Sequence, residues 1–154
     1  MPLQLSCSDI MRKIYSKFID EEERENLYSN FFPSRHKLKR INNETINKIL
    51  NKLKEDFKFE INDNSYLIIE QNSDGHKWHL DTGNHNHMAW CQIGISLLLT
   101  EQGEDGITYY ADDENGTNKI KIERNKFDLV AHTSDEWHMV TPNTNDRMVL
   151  LMFI

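Results

Sequence analysis

Up to Lys58 the apolar residues recur at three- and four-residue intervals, whereas from Phe59 onward they gather into short runs separated by turn residues. The first pattern belongs to helices lying on a core and the second to strands. Residues 8–58 therefore read as helical. Ser8 is a candidate N-cap for a helix with Ile10, Ile14 and Phe18 on one face. The acidic run Asp20–Glu25 leads through Leu27 and Phe31 to a stop at Pro33. Asn43 is placed to cap a further helix carrying Ile46, Ile49, Leu50, Leu53 and Phe57. Strands are expected at Tyr66–Ile69, Ala89–Thr100, Ile107–Ala111, Lys119–Ile122, Phe127–His132 and Arg147–Ile154. Asn62-Asp63-Asn64, Ser73-Asp74-Gly75, Gly103–Gly106 and Glu114-Asn115-Gly116 supply the turns between them. Short strands at this spacing indicate a sandwich or barrel. The chain reads as one domain over residues 1–154, with 1–58 as helical support and 59–154 as the β core.

Composition narrows the function. A chain of 154 residues with 38% hydrophobic and 28% charged residues suits one globular domain. Its longest uninterrupted apolar run, Met148–Ile154, is far short of the roughly 20 residues of a membrane-spanning helix. No basic-then-apolar leader pattern opens the chain. Only Cys7 and Cys91 occur, which excludes a disulfide framework and points to a reducing cytoplasm. Charge is unevenly spread. Residues 1–58 hold 12 Lys/Arg against 9 Asp/Glu, and residues 59–154 hold 6 against 16. The acidic β segment repels a phosphate backbone, which disfavours nucleic acid as a partner.

Candidate chemistry starts at His79-Leu80-Asp81. In a strand, positions i and i+2 share a face, so an imidazole and a carboxylate can address one point. Alone, a His-x-Asp is commonplace. His138 can return to the same point after several strands, because 57 residues separate it from Asp81. Two imidazoles and one carboxylate with open positions opposite make the facial triad of non-haem Fe(II) sites. Arg147 follows nine residues after His138 and opens the last apolar run. A guanidinium there calls for a carboxylate partner.

Together these segments resemble the Fe(II)- and 2-oxoglutarate-dependent dioxygenases, in particular their prolyl 4-hydroxylase-like branch. The resemblance covers residues 65–154. It rests on His79-Leu80-Asp81-Thr82-Gly83, on Asp105-Gly106-Ile107-Thr108-Tyr109-Tyr110 (similar to a Gly-Gly-x-Thr-x-Phe segment), and on Phe127–His132. It continues through His138-Met139-Val140-Thr141-Pro142, which matches His-x-x-x-Pro, to Arg147. Asp105 stands where the family has its first glycine, and Tyr110 where it has phenylalanine. The resemblance implies a mainly β fold, the double-stranded β-helix or jelly roll. It implies Fe(II) held by His79, Asp81 and His138, with 2-oxoglutarate and O2 as cosubstrates and ascorbate as a candidate reductant. Arg147 would grip the distal carboxylate of 2-oxoglutarate, with Arg124 as the alternative. The family's cosubstrate-holding tyrosine has no counterpart here, since the positions around Leu97 are aliphatic; Tyr66 and Ser96 are the candidate substitutes. The implied reaction is hydroxylation of a C–H bond in a peptidyl or free amino acid such as proline, with release of succinate and CO2.

Three other readings remain at this point. One is a non-catalytic jelly-roll module, another a cupin-like metal protein using His85 and His87, and the third an AlkB-like nucleic-acid demethylase. His85, His87 and His76 read as loop residues near the site mouth, His132 as part of the strand leading to His138, and His36 as part of a basic loop. Cys91 reads as core. The acidic residues Glu101, Glu104, Asp105, Asp112, Asp113 and Glu114 bracket the strand Ile107–Ala111 and would favour a cationic peptide over a phosphorylated partner.

Overall fold

The computed structural model describes residues 12–83 and 87–154. Its elements in order are β1 (Arg12–Tyr15), α1 (Glu21–Phe31), β2 (His36–Lys37), a 3-10 turn at Leu38–Arg40, and α2 (Glu44–Leu53). Then follow β3 (Tyr66–Ser73), β4 (His76–His79), β5 (Ile93–Leu98), β6 (Thr108–Ala111), β7 (Ile120–Lys121), β8 (Leu129–Thr133), β9 (Trp137–Val140) and β10 (Asn143–Phe153).

Capping explains where the two helices start. Asp20 accepts a hydrogen bond from the Glu23 backbone amide at 2.8 Å while the Glu23 carboxylate accepts from the Asp20 amide at 3.0 Å, a reciprocal capping box. Glu21, Glu22 and Glu23 add negative charge to the positive end of α1. The helix ends at Phe31, ahead of Pro33. Asn43 caps α2 by accepting from the amides of Thr45 and Ile46. Ile46, Ile49, Leu50 and Leu53 are buried as the periodicity requires.

The helix expected from Ser8 is not what the described residues form. Ser8 and Ile10 lie outside them, and Arg12–Tyr15 is a strand along the edge of β8. Ile14 and Phe18 share no helix face: the chain turns at Lys17 (φ +46°), and Ile14 is 48% exposed. Backbone pairing with β8 holds the segment instead. Tyr15 adds a hydroxyl hydrogen bond to Asp56 at 2.6 Å, and Lys13 an ion pair with the same carboxylate at 3.2 Å. His36, expected in a loop, belongs to β2.

The strands form two antiparallel sheets. The larger has the order β1-β8-β5-β10-β3-β2 and the smaller β4-β9-β6-β7. Each of the six expected runs contains a strand with shifted edges: residues 89–92 stay out of β5, and β10 begins already at Asn143. The four-residue strands β4 and β9 fall outside the expected runs, and each carries a histidine at an inward position. Gly75, at φ +88°, carries the chain from β3 in one sheet to β4 in the other, and a Cβ there would stand 2.6 Å from the Val140 carbonyl oxygen.

Alternation along the large sheet divides its side chains. Leu67, Ile69, Ile93, Ile95, Leu97, Leu129, Leu150 and Met152 join the buried residues of α1 and α2 in one core. The opposite face looks toward the small sheet and carries the polar residues. No helix among the described residues is long and apolar enough to cross a membrane.

Candidate metal centre

Two cross-strand rows meet between the sheets. In the small sheet, His79 on β4 pairs with His138 on β9, which pairs with Tyr110 on β6. In the large sheet, Tyr66, Phe153, Gly94, His132 and Arg12 stand in one register line across β3, β10, β5, β8 and β1. Residues directly opposite in antiparallel strands share a face, with Cβ atoms about 4.5–5.5 Å apart. His79 and His138 accordingly bring their ring centroids to 4.1 Å, and across the gap between the sheets His132 comes within 4.4 Å of His138.

Asp81 enters from outside the rows. It lies past the end of β4, in a turn closed by the Gly83 amide on the Leu80 carbonyl at 2.9 Å, so His79 and Asp81 are not two positions of one strand. The carboxylate reaches into the gap that Gly94 leaves between Phe153 and His132. It is buried, 4% exposed. His138 Nε2 is 3.2 Å and His79 Nε2 3.9 Å from its Oδ1. Among the described residues, His79, Asp81 and His138 are the group whose ligand atoms all lie within 4.8 Å of one another.

The hydrogen bonds behind these atoms decide what they offer. His79 Nδ1 donates to the Lys77 carbonyl at 2.6 Å, and His138 Nδ1 to the Glu136 carbonyl at 2.8 Å. Each ring in its neutral form therefore directs an Nε2 lone pair inward. Asp81 Oδ2 accepts from His132 Nε2 at 2.6 Å, which leaves Oδ1 for the centre. Once His138 has given up its proton, three acceptors converge with no donor among them. Such a set needs a cation, and two imidazoles with one carboxylate suit non-haem Fe(II).

Comparison with solved structures bears on the same point. A prolyl-4-hydroxylase from Pseudomonas putida superposes with a TM-score of 0.62 over 92% of this chain and 90% of its own, at 14% identity. A Trichoplax adhaerens prolyl hydroxylase, solved in complex with a hypoxia inducible factor oxygen degradation domain peptide fragment, gives 0.59 over 92% and 82% at 14% identity. An oxidoreductase of the 2OG-Fe(II) oxygenase family from Burkholderia pseudomallei gives 0.59 over 94% and 82% at 12% identity. The fold is that of these oxygenases. No protein-family model matches the sequence, and no curated protein matches it significantly.

Within this oxygenase fold the charges are arranged around Asp81. Burial pushes its carboxyl up, but attraction and hydrogen bonds from His132 and His138 outweigh this and hold it well below the carboxylate range. Burial and the neighbouring His138 press His79 down to about 4. For His138 burial acts downward too, yet Asp81 outweighs it and raises the ring above its ordinary value. His79 is thus neutral across physiological pH, and His138 carries the proton that a metal ion must displace. Affinity for a divalent ion should therefore rise with pH through the His138 titration. Calorimetry in buffers of differing ionisation enthalpy should find about one proton released per ion near pH 6, falling toward zero in alkali. Release of two would place the charge on His79 as well.

The remaining expected residues fall into place as follows. Arg147 is buried on β10, its stem against Gly106; its Nε has no hydrogen-bond partner among the described residues. Burial lowers its pKa, countered by the charges of Glu70 and Asp105. Arg124 is equally buried, but its guanidinium donates to Ser96 Oγ at 3.0 Å and to the Ser96 and Asp128 carbonyls at 2.8 and 3.2 Å. Ser96 and His76 line the cleft, of about 100 Å3, into which the triad opens; Val140, Leu151 and Phe153 make its apolar walls. Tyr66 instead packs on Phe153 and Trp90 beneath the Arg35 guanidinium. His85 lies outside the described residues, and His87 stands against Gly83, apart from the triad. Cys91 is buried.

Sequence reasoning did not single out His132, Gly94 or the Tyr110 hydroxyl. The available signals were a histidine inside the apolar strand Leu129–Thr133 and a glycine inside the apolar strand Ile93–Leu98, which marks a close approach.

Proposed function

We propose that the chain is an Fe(II)- and 2-oxoglutarate-dependent dioxygenase of the prolyl 4-hydroxylase-like branch, built as a double-stranded β-helix. The observation that carries this reading is the triad, with His79 Nε2, His138 Nε2 and Asp81 Oδ1 turned toward one another by hydrogen bonds on their other polar atoms. Bound Fe(II), 2-oxoglutarate and O2 would supply the oxidising chemistry, ending in succinate, CO2 and a hydroxylated C–H bond.

The chain's own residues bind and orient. His79, Asp81 and His138 would hold the ion from one side and leave the cleft side open. Arg147 would take the distal carboxylate of 2-oxoglutarate: among the described residues both buried arginines leave Nε without a partner, but Arg124 already spends its terminal nitrogens on three protein oxygens. Val140, Leu151 and Phe153 would exclude water from the reacting region. No general base is required.

A peptidyl or free amino acid such as proline is the substrate this reading favours. The acidic residues Asp112, Asp113 and Glu114 follow β6, and their turn seats Gly116 against the ring of Trp78, beside His79. That negative flank favours a cationic peptide over a nucleic acid. The peptide held by the Trichoplax adhaerens structure points the same way. Proline peptides, free proline and methylated oligonucleotides should be compared as stimulants of 2-oxoglutarate turnover, with a product mass shift of +16 as the check. Turnover on the oligonucleotide alone would overturn the substrate class.

The cosubstrate role of Arg147 has its own test. Arg147→Ala should raise the 2-oxoglutarate requirement at least about tenfold, since a charge-assisted contact is worth roughly 1.5–3 kcal/mol. Metal affinity should persist. An unchanged requirement would move the carboxylate site elsewhere.

A further inference from the structure

His132 touches Asp81 on the side away from the cleft centre, and its second nitrogen is also engaged. His132 Nε2 lies 2.6 Å from Asp81 Oδ2, and His132 Nδ1 lies 2.6 Å from the Tyr110 hydroxyl. Asp81 Oδ2 can only accept, so the proton sits on His132 Nε2. Nδ1 is then an acceptor, and the Tyr110 O–H donates to it. All three groups are buried, with Tyr110 1%, Asp81 4% and His132 5% exposed. No water competes for these bonds, and none of the groups can turn away without leaving a buried polar atom unpaired.

We propose that His132 and Tyr110 are positioning residues that fix Asp81 as a one-oxygen metal ligand. The inference rests on the triad reading above. The Tyr110 hydroxyl selects the His132 tautomer, and that tautomer ties down Oδ2. Asp81 then presents Oδ1 alone to His79 and His138 and cannot turn to chelate an ion through both oxygens. His132 itself is not a fourth ligand, because both its nitrogens are committed. The support reaches further through Arg12, whose guanidinium lies 4.8 Å from the Tyr110 ring centroid and pairs with Glu136 at 2.8 Å. The Glu136 carbonyl in turn orients His138. Two of the three ligands are thus held by one connected set of contacts.

The test uses Co(II) as the probe, because its visible absorption reports ligand number and geometry without turnover. His132→Leu should weaken Co(II) binding by about 10–100-fold, the usual effect of losing an outer partner of a ligand, and alter the band pattern. His132→Gln, which restores an N–H near the Nε2 position, should recover most of both. Tyr110→Phe removes one oxygen and keeps the ring, so it should fold even where His132→Leu does not. It should shift the Co(II) spectrum and weaken binding several-fold. Folding of each variant is checked by circular dichroism. A Tyr110→Phe protein whose spectrum and affinity superimpose on the wild type would overturn the proposal, as would a folded His132→Leu protein with wild-type binding. Failure of the wild type itself to bind Co(II) or Fe(II) would instead overturn the triad reading.

Discussion

Asp81→Ala, His79→Ala and His138→Ala should each eliminate Fe(II)-dependent succinate formation, a loss of several orders of magnitude in rate, while the sheets remain folded. Each substitution removes one of three converging ligand atoms, and a site of two ligands holds a divalent ion weakly. Asp81→Ala is the most informative of the three. It deletes the only carboxylate of the triad and the counter-charge that keeps His138 protonatable, so that ring should titrate lower than in the wild type. Circular dichroism would confirm the fold, and isothermal titration with Fe(II) under nitrogen would read the binding. Retained iron binding in His138→Ala would shift the centre to other histidines and refute the assignment.

Gly94→Ala should have nearly as large an effect without altering any ligand. A Cβ built on Gly94 runs into Asp81 Oδ2 and comes within 2.7 Å of His132 Nε2. Both atoms are buried and joined to each other, so neither can yield alone. Overpacking of this kind costs roughly 1–3 kcal/mol in stability. The carboxylate has one open direction, toward the cleft, and moving there takes Oδ1 out of register with His79 and His138. Metal affinity should fall at least about a hundredfold, in line with the loss of a ligand and its outer support together. Thermal melting and Co(II) titration separate the two consequences. A melting point near wild type with undiminished Co(II) affinity would show that the gap is not what seats Asp81.

The parts legible in sequence are those written in local chemistry. Asn43 announces a helix start because a cap is made by one side chain and the amides two or three residues on. The apolar runs announce β3, β5, β8 and β10, which have at least one face in the core. The triad was legible through the family resemblance of the segments around His79-Leu80-Asp81 and His138, since the spacing alone is commonplace. The strand β1 was not, because four residues at a sheet edge owe their conformation to the backbone of β8, more than a hundred residues away, and Ile10, Ile14 and Phe18 imitate a helix stripe. β4 and β9 escape for a related reason: they are four residues long, and each turns a candidate ligand, His79 or His138, inward where a hydrophobe would have marked a strand. His132, Gly94 and Tyr110 carry meaning only as pairs across strands, and register is a long-range property that no local window contains.

The register line that runs from Arg12 to Tyr66 through Phe153 has a consequence for when the centre can come into being. His79 and Asp81 are synthesised well before β10 and His138 just ahead of it, yet β10 lies between β5 and β3 in the large sheet. Until it inserts, Gly94 has no Phe153 beside it, and the wall behind Asp81 is only half built. Most of the sheet's pairings join residues far apart in sequence, and such pairings form late and slowly. A ribosome-bound chain truncated ahead of Asn143 therefore has all three ligands and no assembled site. A metal ion at the triad would therefore be captured only after β10 closes the sheet, and its capture would report completed folding rather than guide it.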